Sequence, residues 1–379
     1  MLIGVPKEIK NREYRIGVVP ANVKALTMRG HQVIIENNAG IGIGASDAEY
    51  EAAGATIVTS PERIFDSAQM IIKVKEPQAS ERRLLHGGQI LFTYLHLAPD
   101  PLQTLDLIKS AVTCIAYETV TDNDGGLPLL APMSAVAGRL SVQAGAHFLE
   151  RPHGSLGVLL GGVAGATRAK VVIIGGGVVG ANAAQIALGM GAEVWVIDRN
   201  MDVLKNLSTQ FGPLLNTAFS NTETIERHCL DADLVIIGVL IRGATAPKLI
   251  SHAMVKRMKP GSVIVDVAID QGGGSETSRA TTHDDPIYLV DNVIHYCVAN
   301  MPAAVPKTSA YALNNATQPF ILALADKGLQ ALKDDQNLLQ GLCIHNGMVT
   351  NQAVAEALGC DYVPAEQALA NQGLLTSKK

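Results

Sequence analysis

Short apolar runs alternate with amphipathic stretches along the first third of the chain. The runs are LIGVP, QVIIE, MIIKVKEP, QILFTYLHLA and VTCIAYE, and a helical spacing of apolar residues extends from about Ala21 to Arg29. Apolar runs of this length predict buried strands, and strands that alternate with helices are typical of a parallel sheet. The first third therefore predicts an α/β unit.

A second series of strands is predicted after one long helix. The helix is SAVAGRLSVQAGAHFLE, with Ser134 as its N-cap or beside it. The predicted strands that follow are KVVIIG, EVWVID, DLVIIGV, SVIVDVA, IYLVDN and HYCVAN, separated by helices at about 178–190, 200–210 and 251–258. This order is typical of a doubly wound sheet of the Rossmann type.

The composition of the chain changes after Asn300. MPAAVPKT carries two prolines, which break regular structure and mark a crossover. Helical patterns then extend from Ser309 to about Lys333 and from about Val349 to Leu358, with too few strands for another sheet. We therefore expect this tail to pack on the first unit.

The predicted fold class is α/β with two Rossmann-like, doubly wound domains. The expected substrate domain is discontinuous and consists of residues 1–128 and 307–379, and a dinucleotide-binding domain of residues 129–306 is inserted into it. A length of 379 residues fits two domains at roughly 150 residues each.

Composition excludes several classes of protein. Hydrophobic residues make up 47% of the chain, which excludes disorder, and charged residues only 17%, below the usual value of about 25%. So few charges predict that apolar surface is covered in subunit contacts, and we expect a homo-oligomer. The formal charge is −5 with no basic run, so nucleic acid is not an expected partner.

Localisation and metal content are predicted from the cysteines, the histidines and the first residues. The five cysteines form no C-x-x-C pair and the histidines no H-x-x-x-H pair, so we expect neither a disulfide framework nor a metal. Charges at Lys7, Glu8 and Lys10 interrupt any signal-peptide pattern, which favours the cytoplasm.

One uncharged stretch is long enough to suggest a membrane span. It extends over 22 residues from Val171 to Ala192, but it contains six glycines, three of them in a row. Glycines at that density weaken a spanning helix, so a buried strand, a turn and a buried helix explain the stretch better. No membrane partner is expected.

The most informative motif is G-x-G-x-x-G, formed by Gly175, Gly177 and Gly180. An apolar strand enters it, a helix pattern leaves it, and the next strand, EVWVID, ends in Asp198, 18 residues past Gly180. The glycines permit a tight turn, close approach of the backbone to a pyrophosphate, and close packing of helix on strand. Asp198 would accept hydrogen bonds from the adenosine ribose and favours NAD over NADP, although Arg199 tempers that preference.

Candidate chemical groups follow other apolar runs. Asp270 closes the predicted strand of GSVIVDVAID, and the alternative for it is a turn or cap residue. Alternation places Lys73 and Lys75 on one side of their strand, either at a sheet edge or facing a cleft, where an ammonium could hold a carboxylate or carbonyl. His96 is either a structural histidine or a proton shuttle. Arg15 taken alone reads as a solvated side chain.

Several motifs in order resemble one family, and the resemblance covers essentially the whole chain. They are VPKEIKNREYRIGVVP, IIKVKEP, TYLHLA, LPLLAPMSAVAGR, GGGVVG, VDVAIDQGGGSETSRATTH and VANMPAAVPKTSAYALN. Together they are similar to the family of alanine dehydrogenase and the nicotinamide-nucleotide transhydrogenase alpha subunit. The resemblance implies a two-domain subunit with NAD in its cleft, usually in a hexamer, that converts L-alanine, NAD and water to pyruvate, ammonium and NADH.

The resemblance also implies roles for individual residues. It assigns Arg15 and Lys75 to the substrate carboxylate and carbonyl, His96 as acid and base, and Asp270 as second catalytic residue. Position 203 is Val where some relatives are expected to carry lysine. On the cofactor side it implies, besides the glycine turn and Asp198, contacts from Ser134, Val178, Val179, Ser220, Val239, Leu240, Val267, Ala268, Ile269, Asp270, Arg279, Val298, Ala299, Asn300 and Met301.

Three other functions remain open at this point. The chain could act like a transhydrogenase alpha subunit, although LLAPMSAVAGR lacks the Arg and Gln pattern expected there. It could be a non-catalytic NAD-binding regulator, since a fold alone does not define a function. It could also be a related oxidoreductase that acts on larger amino acids.

Overall fold

A computed structural model describes residues 1–239 and 245–370 of the chain. It contains two compact units, one of residues 1–133 together with those from Val305 onward, and one of residues 134–304. The first division falls inside a long helix. The sequence predicts divisions at 128/129 and 306/307.

The strands and helices of the described residues are numbered in chain order. The strands are β1 (Leu2–Val5), β2 (Gln32–Glu36), β3 (Thr56–Val58), β4 (Met70–Ile72), β5 (Ile90–Thr93), β6 (Thr113–Ala116), β7 (Lys170–Ile174), β8 (Glu193–Asp198), β9 (Leu215–Phe219), β10 (Leu234–Ile237), β11 (Val263–Asp266), β12 (Ile287–Val290), β13 (Val293–Tyr296), β14 (Leu342–His345) and β15 (Met348–Val349). The helices are α1 (Pro20–Thr27), α2 (Asp47–Ala52), α3 (Pro61–Ser67), α4 (Ala79–Arg82), α5 (Pro101–Ser110), α6 (Ala131–Phe148), α7 (Val178–Gly189), α8 (Met201–Phe211), α9 (Thr222–Leu230), α10 (His252–Val255), α11 (Pro306–Lys327), α12 (Gln330–Asp334), α13 (Gln336–Leu339), α14 (Gln352–Leu358) and α15 (Ala365–Ala370).

The first unit is built on an eight-stranded sheet. Its order is β15-β14-β6-β5-β4-β1-β2-β3, and the six strands from β6 to β3 are parallel to their neighbours. β14 pairs antiparallel with β6, and β15 pairs antiparallel with β14. The chain's tail therefore completes the sheet that the first residues begin. The strand order reverses between β1 and β4, which is the usual place for a ligand in an open α/β sheet.

The second unit repeats this arrangement. Its seven-stranded sheet has the order β12-β13-β11-β10-β7-β8-β9, in which β12 alone pairs antiparallel with its neighbour. The reversal of strand order falls between β7 and β10, directly beside the glycine turn. Both units are therefore doubly wound α/β folds, as the sequence predicts.

Central strands in both units are buried along their length. Each residue of β4, β5, β6, β10 and β11 is buried. Parallel strands covered by helices on both faces need such continuous apolar sequences. The uncharged stretch from Val171 divides into β7, the glycine turn and α7, and within the described residues no helix has the length and apolarity to span a membrane.

Several predicted boundaries are wrong. MIIKVKEP forms a strand only to Ile72, and GSVIVDVAID only to Asp266, so Asp270 lies in a 3-10 helix, Val267–Gln271, beyond the strand. Helix α6 begins at Ala131, which places Ser134 inside its first turn and not at the cap. The apolar pattern missed four strands: β3 and β15, which have only three and two residues, β9, which contains polar residues, and β14.

Asn314 joins the two chain segments of the first unit. It lies on α11, is fully buried, and accepts a hydrogen bond from the backbone N–H of Val19 at 2.8 Å. Its amide nitrogen donates to the carbonyl of Ile16 at 3.3 Å, and its own carbonyl accepts from Asn22 at 3.0 Å. Asn314 thus satisfies backbone hydrogen-bonding groups of the N-terminal segment, 295 residues away in the case of Val19.

We expect Asn314→Ala to destabilise the first unit. The change leaves a buried N–H without its acceptor, which costs about 1–3 kcal/mol of the free energy of unfolding and lowers the midpoint of thermal unfolding by several degrees. The exposed neighbour Asn315 on the same helix provides the matched control, Asn315→Ala. Equal unfolding midpoints for the two variants would contradict the role given to Asn314.

Candidate active site

Each glycine of the fingerprint in the second unit occupies a position with a different geometric requirement. Gly175 has a φ of +97°, a backbone conformation that only glycine adopts readily. A Cβ on Gly180 would lie 1.8 Å from the carbonyl oxygen of Gly175, so α7 packs on β7 only without it. A Cβ on Gly177 would meet no heavy atom within 4 Å.

The space at Gly177 lies at the N-terminus of α7. Gly177 is the N-cap of that helix and has no side chain to accept the first amide hydrogens. These N–H groups and the positive end of the helix dipole favour an anion, and the open space lets it approach. The turn therefore fits the pyrophosphate of a dinucleotide, as the fingerprint predicts.

Asp198 braces this turn from the end of β8. One carboxylate oxygen accepts from the backbone N–H of Gly176 at 2.6 Å, and the other accepts from that of Asn200 at 2.8 Å. The carboxylate is half-buried, so its remaining acceptor positions are available for a ribose. A Cβ on Gly176 would lie 2.7 Å from a methyl of Val203. The valine noted from the sequence is thus a packing neighbour of the turn.

Most other predicted cofactor residues follow strands at the same edge of the second sheet. Ser220 follows β9 and donates its backbone N–H to the carbonyl of Asp198 at 2.9 Å. Val239 follows β10, and Leu240 lies outside the described residues. The residues that follow β11 and β13 are Val267, Ala268, Ile269 and Asp270, and Val298, Ala299, Asn300 and Met301. Carboxyl ends of parallel strands meet at one edge, so these assignments are spatially consistent and stay predictions.

Two of the predicted contacts lie elsewhere in the unit. Ser134 is in the first turn of α6, half-buried. Arg279 lies between β11 and β12, where its guanidinium carbon is 4.0 Å from the ring centre of Tyr288 and its backbone N–H donates to the hydroxyl of that tyrosine at 2.8 Å. The exposed Arg279 is therefore held at the surface by an aromatic ring.

Asp266 directly precedes the predicted cofactor residues Val267 to Asp270, although the sequence pattern did not single it out. This buried carboxylate at the end of β11 accepts from the N–H of Ala268 at 3.1 Å, the N–H of Gly274 at 2.8 Å and the hydroxyl of Ser278 at 2.5 Å. Burial raises its pKa, and the hydrogen bond from Ser278 opposes that shift. Asp266 therefore fixes the loop that carries Asp270. The sequence feature that could have indicated this role is an acidic residue inside the otherwise apolar run SVIVDVA.

In the first unit, two carboxylates clamp a lysine at the carboxyl end of β4. Lys73 is fully buried, and its ammonium donates to Glu8 at 3.0 Å and to Glu81 at 2.8 Å. Burial alone would lower its pKa, but the two carboxylates raise it to about 12. Lys73 is thus a charged structural residue.

Lys75 follows two residues later and is also buried. Its backbone N–H lies 3.4 Å from Glu8, and its carbonyl accepts from the hydroxyl of Thr93 at 3.1 Å. Because β4 lies between β1 and β5, the alternative of a sheet-edge lysine is wrong. Glu8 also accepts from the N–H of Val74 at 2.6 Å, so this glutamate holds the backbone from which Lys75 projects.

Arg15 is a buried cation, which excludes the alternative of a solvated side chain. It is 2% exposed, and its Nε and Nη2 donate to the two carboxylate oxygens of Glu13 at 2.7 and 2.5 Å. Its Nη1 lies 3.0 Å from the sulfur of Met133. Burial alone would lower the pKa of Arg15, but the hydrogen bonds and charge of Glu13 outweigh burial and hold it above its usual value.

His96 lies in a strained conformation after β5. Its φ is +49°, which a residue with a Cβ rarely adopts and which is often associated with function. Its backbone N–H donates to Glu118 at 2.7 Å, and its ring lies parallel to that of Tyr94 with centres 6.0 Å apart. The imidazole is 45% exposed, with Nδ1 3.9 Å from Glu118. A core histidine would be buried, so this ring is available to a ligand.

Arg15, Lys75 and His96 thus follow β1, β4 and β5, which are adjacent in the first sheet. The arrangement offers a buried guanidinium for a carboxylate, an ammonium for a second oxygen and an accessible imidazole for proton transfer. Such a set can bind a small anionic substrate and move a proton.

The chain matches family models and curated sequences over most of its length. Models of the alanine dehydrogenase/PNT N-terminal and C-terminal domains match residues 4–137 and 141–352. The chain is 56% identical over 366 residues to alanine dehydrogenase of Halomonas elongata, covering 96% of this chain and 99% of the relative.

Solved structures agree with this similarity. A structure of L-alanine dehydrogenase is 49% identical, with a TM-score of 0.92 and coverage of 95% of this chain and 99% of the other. The transhydrogenase from Sinorhizobium meliloti has a TM-score of 0.81 at 24% identity and covers 92% and 100% of the two chains, so it shares the fold.

Two glycine variants should separate folding from dinucleotide binding. We expect Gly177→Ala to fold with an unchanged unfolding midpoint, because the added Cβ meets no protein atom, and to weaken dinucleotide binding about tenfold or more by crowding the pyrophosphate. Gly180→Ala should instead lower the unfolding midpoint, because its Cβ overlaps the carbonyl of Gly175. Titration with NAD and thermal unfolding measure the two effects. Gly177→Ala with unweakened binding would argue against a pyrophosphate at this turn.

Proposed function

The chain belongs to the alanine dehydrogenase/PNT family, and from this premise we propose that it catalyses the reversible, NAD-dependent oxidative deamination of L-alanine to pyruvate and ammonium. The observation that carries the proposal is that Arg15, Lys75 and His96 lie in the segments that follow three adjacent strands, β1, β4 and β5. A small amino acid presents one carboxylate and one amine, which such a group can recognise. We assign the first unit to the substrate and the second to the cofactor.

The glycine turn fits NAD because of its open approach at Gly177 and its uncapped helix N-terminus. We infer that the amides of Val178 and Val179 bind the pyrophosphate and that Asp198 binds the adenosine ribose. When bound, NAD supplies the acceptor for the hydride that leaves the substrate Cα. A carboxylate at Asp198 would repel a 2′-phosphate, which favours NAD over NADP.

Arg15 and Lys75 hold the substrate in this proposal. Glu13 occupies one side of the guanidinium and fixes its plane, and Glu8 fixes the backbone of Lys75. A side chain positioned in advance loses less conformational entropy when the substrate binds. We infer that Arg15 binds the carboxylate of alanine and that Lys75 binds the carbonyl oxygen of pyruvate.

His96 and Asp270 are assigned to proton transfer. Loss of hydride from Cα with the amine deprotonated gives an imine, which water attacks to form a carbinolamine. We infer that His96 takes a proton from that water and returns a proton to the leaving ammonia. Asp270, an exposed residue of the 3-10 helix beyond β11, would assist proton traffic near the nicotinamide ribose. Deamination releases a proton, so alkaline pH favours it.

We further propose that the chain acts as a homo-oligomer, a hexamer, in the cytoplasm and in alanine catabolism. The small fraction of charged residues supports subunit contacts, and exposed apolar side chains such as Met28 and Leu102 are available for them. All five cysteines are free, which fits a reducing compartment. The molar mass in solution by light scattering tests the hexamer, and a monomer would exclude it.

The direct test is NADH absorbance after the purified protein is mixed with NAD at alkaline pH. We expect reduction with L-alanine and slower or no reduction with L-serine, L-lysine or glycine. A response only to a larger amino acid would keep the reaction class and change the substrate. No response to any of them would refute the proposal and favour a transhydrogenase-like or regulatory function.

We expect His96→Ala to lower kcat for alanine deamination by roughly 10² or more, because it removes the general acid and base. Its affinity for NAD should be unchanged, since the cofactor is assigned to the other unit. His86→Ala provides the control, because His86 is an exposed histidine of the same unit. Turnover near that of the unmodified protein would exclude His96 from proton transfer.

We expect Glu13→Gln to raise KM for L-alanine about tenfold or more, because Arg15 loses the charged partner that fixes its orientation. Rescue by Glu13→Asp, together with unchanged NAD binding, would separate positioning from a general loss of structure. The exposed Glu51 gives the control variant, Glu51→Gln. An unchanged KM would show that Glu13 does not position Arg15 for substrate.

A further inference from the structure

Three potential metal ligands converge where α6 ends. His147 is the penultimate residue of the helix. Glu150 lies two residues beyond the helix end and is the N-cap residue of the 3-10 helix Arg151–His153, of which His153 is the last residue. One ligand atom of each side chain lies within 4.8 Å of the others, and Nδ1 of His147 is 3.6 Å from a carboxylate oxygen of Glu150. We propose that these three residues form a binding site for Zn²⁺ or a similar divalent transition metal.

The donor set suits zinc. Two imidazole nitrogens and one carboxylate oxygen are borderline ligands that zinc binds at about 2.0–2.2 Å, with water in the fourth position. Tetrahedral bonds of that length place ligand atoms about 3.4 Å apart, somewhat closer than the limit of 4.8 Å observed here. His147 and Glu150 are 55% and 57% exposed, so small rotations of their side chains can close this difference.

The backbone beneath the site is held in place. Gly154 directly follows the 3-10 helix and has a φ of +84°, and the buried Ser155 donates its hydroxyl to the carbonyl of Gly261 at 2.5 Å. The guanidinium of Arg151 donates to the carbonyl of Ser155 at 3.0 Å. This turn therefore presents His153 in a defined position before any ion binds, which reduces the entropy lost on binding.

Aromatic packing adds a second constraint. The ring of Phe148 lies 5.0 Å from the ring of His147, 5.0 Å from that of His153 and 5.5 Å from that of Tyr296, measured between centres. The two imidazoles are themselves 4.3 Å apart. Phe148 thus holds both histidines on one side of the turn.

A metal-free explanation accounts for only part of the arrangement. A protonated His147 near Glu150 would form an exposed ion pair at a helix C-terminus, where it contributes little. That ion pair does not involve His153, which packing on Phe148 places beside it. The spacing H-x-x-E-x-x-H differs from the H-x-x-x-H pattern because the helix ends between the ligands, so the sequence predicted no metal.

This group of potential ligands has no counterpart among the described residues. Among the described residues no second group of histidine, cysteine and acidic side chains converges in this way. The segments outside them, LIRGA and NQGLLTSKK, carry none of these residue types. A bound ion would tie the end of α6 to the turn that follows and stabilise the second unit by mass action.

The test is calorimetric titration of the EDTA-treated full-length protein with ZnCl₂. It uses a Cys360→Ser background, because that exposed thiol could bind zinc independently. We expect one site per chain, and we expect Glu150→Gln and His153→Phe each to weaken binding about tenfold or more. His153→Phe keeps an aromatic ring against Phe148, so loss of binding would not reflect loss of packing.

The control is His252→Ala, because His252 is an exposed histidine of the same unit with a single carboxylate partner, Asp291, at 2.7 Å. It should bind zinc as the background protein does. Zinc should also raise the thermal unfolding midpoint of the background and control proteins but not of the two ligand variants. Absence of zinc binding by the background protein, or binding by Glu150→Gln and His153→Phe as tight as that of the background protein, would overturn the proposal.

Discussion

Buried charge pairs in the segments that follow β1 and β4 constrain the structure of the first unit. An unpaired charge in such a core would be strongly destabilising, so each cation is buried together with its carboxylate partner. Lys73 lies between Glu8 and Glu81, and Arg15 is bound by both oxygens of Glu13. Glu8 also binds the backbone that leads to Lys75. The contacts that compensate the buried charges therefore also fix the positions of the groups assigned to the substrate.

In the second unit the strands β11-β10-β7-β8-β9 repeat the order of β5-β4-β1-β2-β3 in the first, but the site beside them is built differently. At its reversal point the turn after β7 has glycines in place of charged side chains, and close approach of the backbone replaces ion pairing. Asp198 connects that turn to β8, and Asp266 connects β11 to the loop that carries Asp270. One topology thus supports an anion-binding backbone in one unit and a set of charged side chains in the other, which shows why function has to be argued from the site.

The sequence predicts the architecture well because buried parallel strands require apolar runs. β1, β2, β7, β8 and β11 lie within the runs LIGVP, QVIIE, KVVIIG, EVWVID and SVIVDVA. The apolar pattern did not predict β9, because this strand includes the polar residues Asn216 and Thr217. Other features depend on contacts that the local sequence does not show: Glu8 and Glu81 make Lys73 a structural residue, and nothing local signals the positive φ of His96. The roles of the site residues and the domain boundaries stay predictions.

Transfer of the Cα hydrogen of alanine to the nicotinamide is the central chemical claim. Incubation of the protein with NAD and L-alanine deuterated at Cα, followed by mass spectrometry of the nucleotide, tests it most directly. We expect each NADH formed to carry one deuterium, and pyruvate and ammonium to appear in equal amounts. NADH without deuterium, or no reduction of NAD, would contradict it.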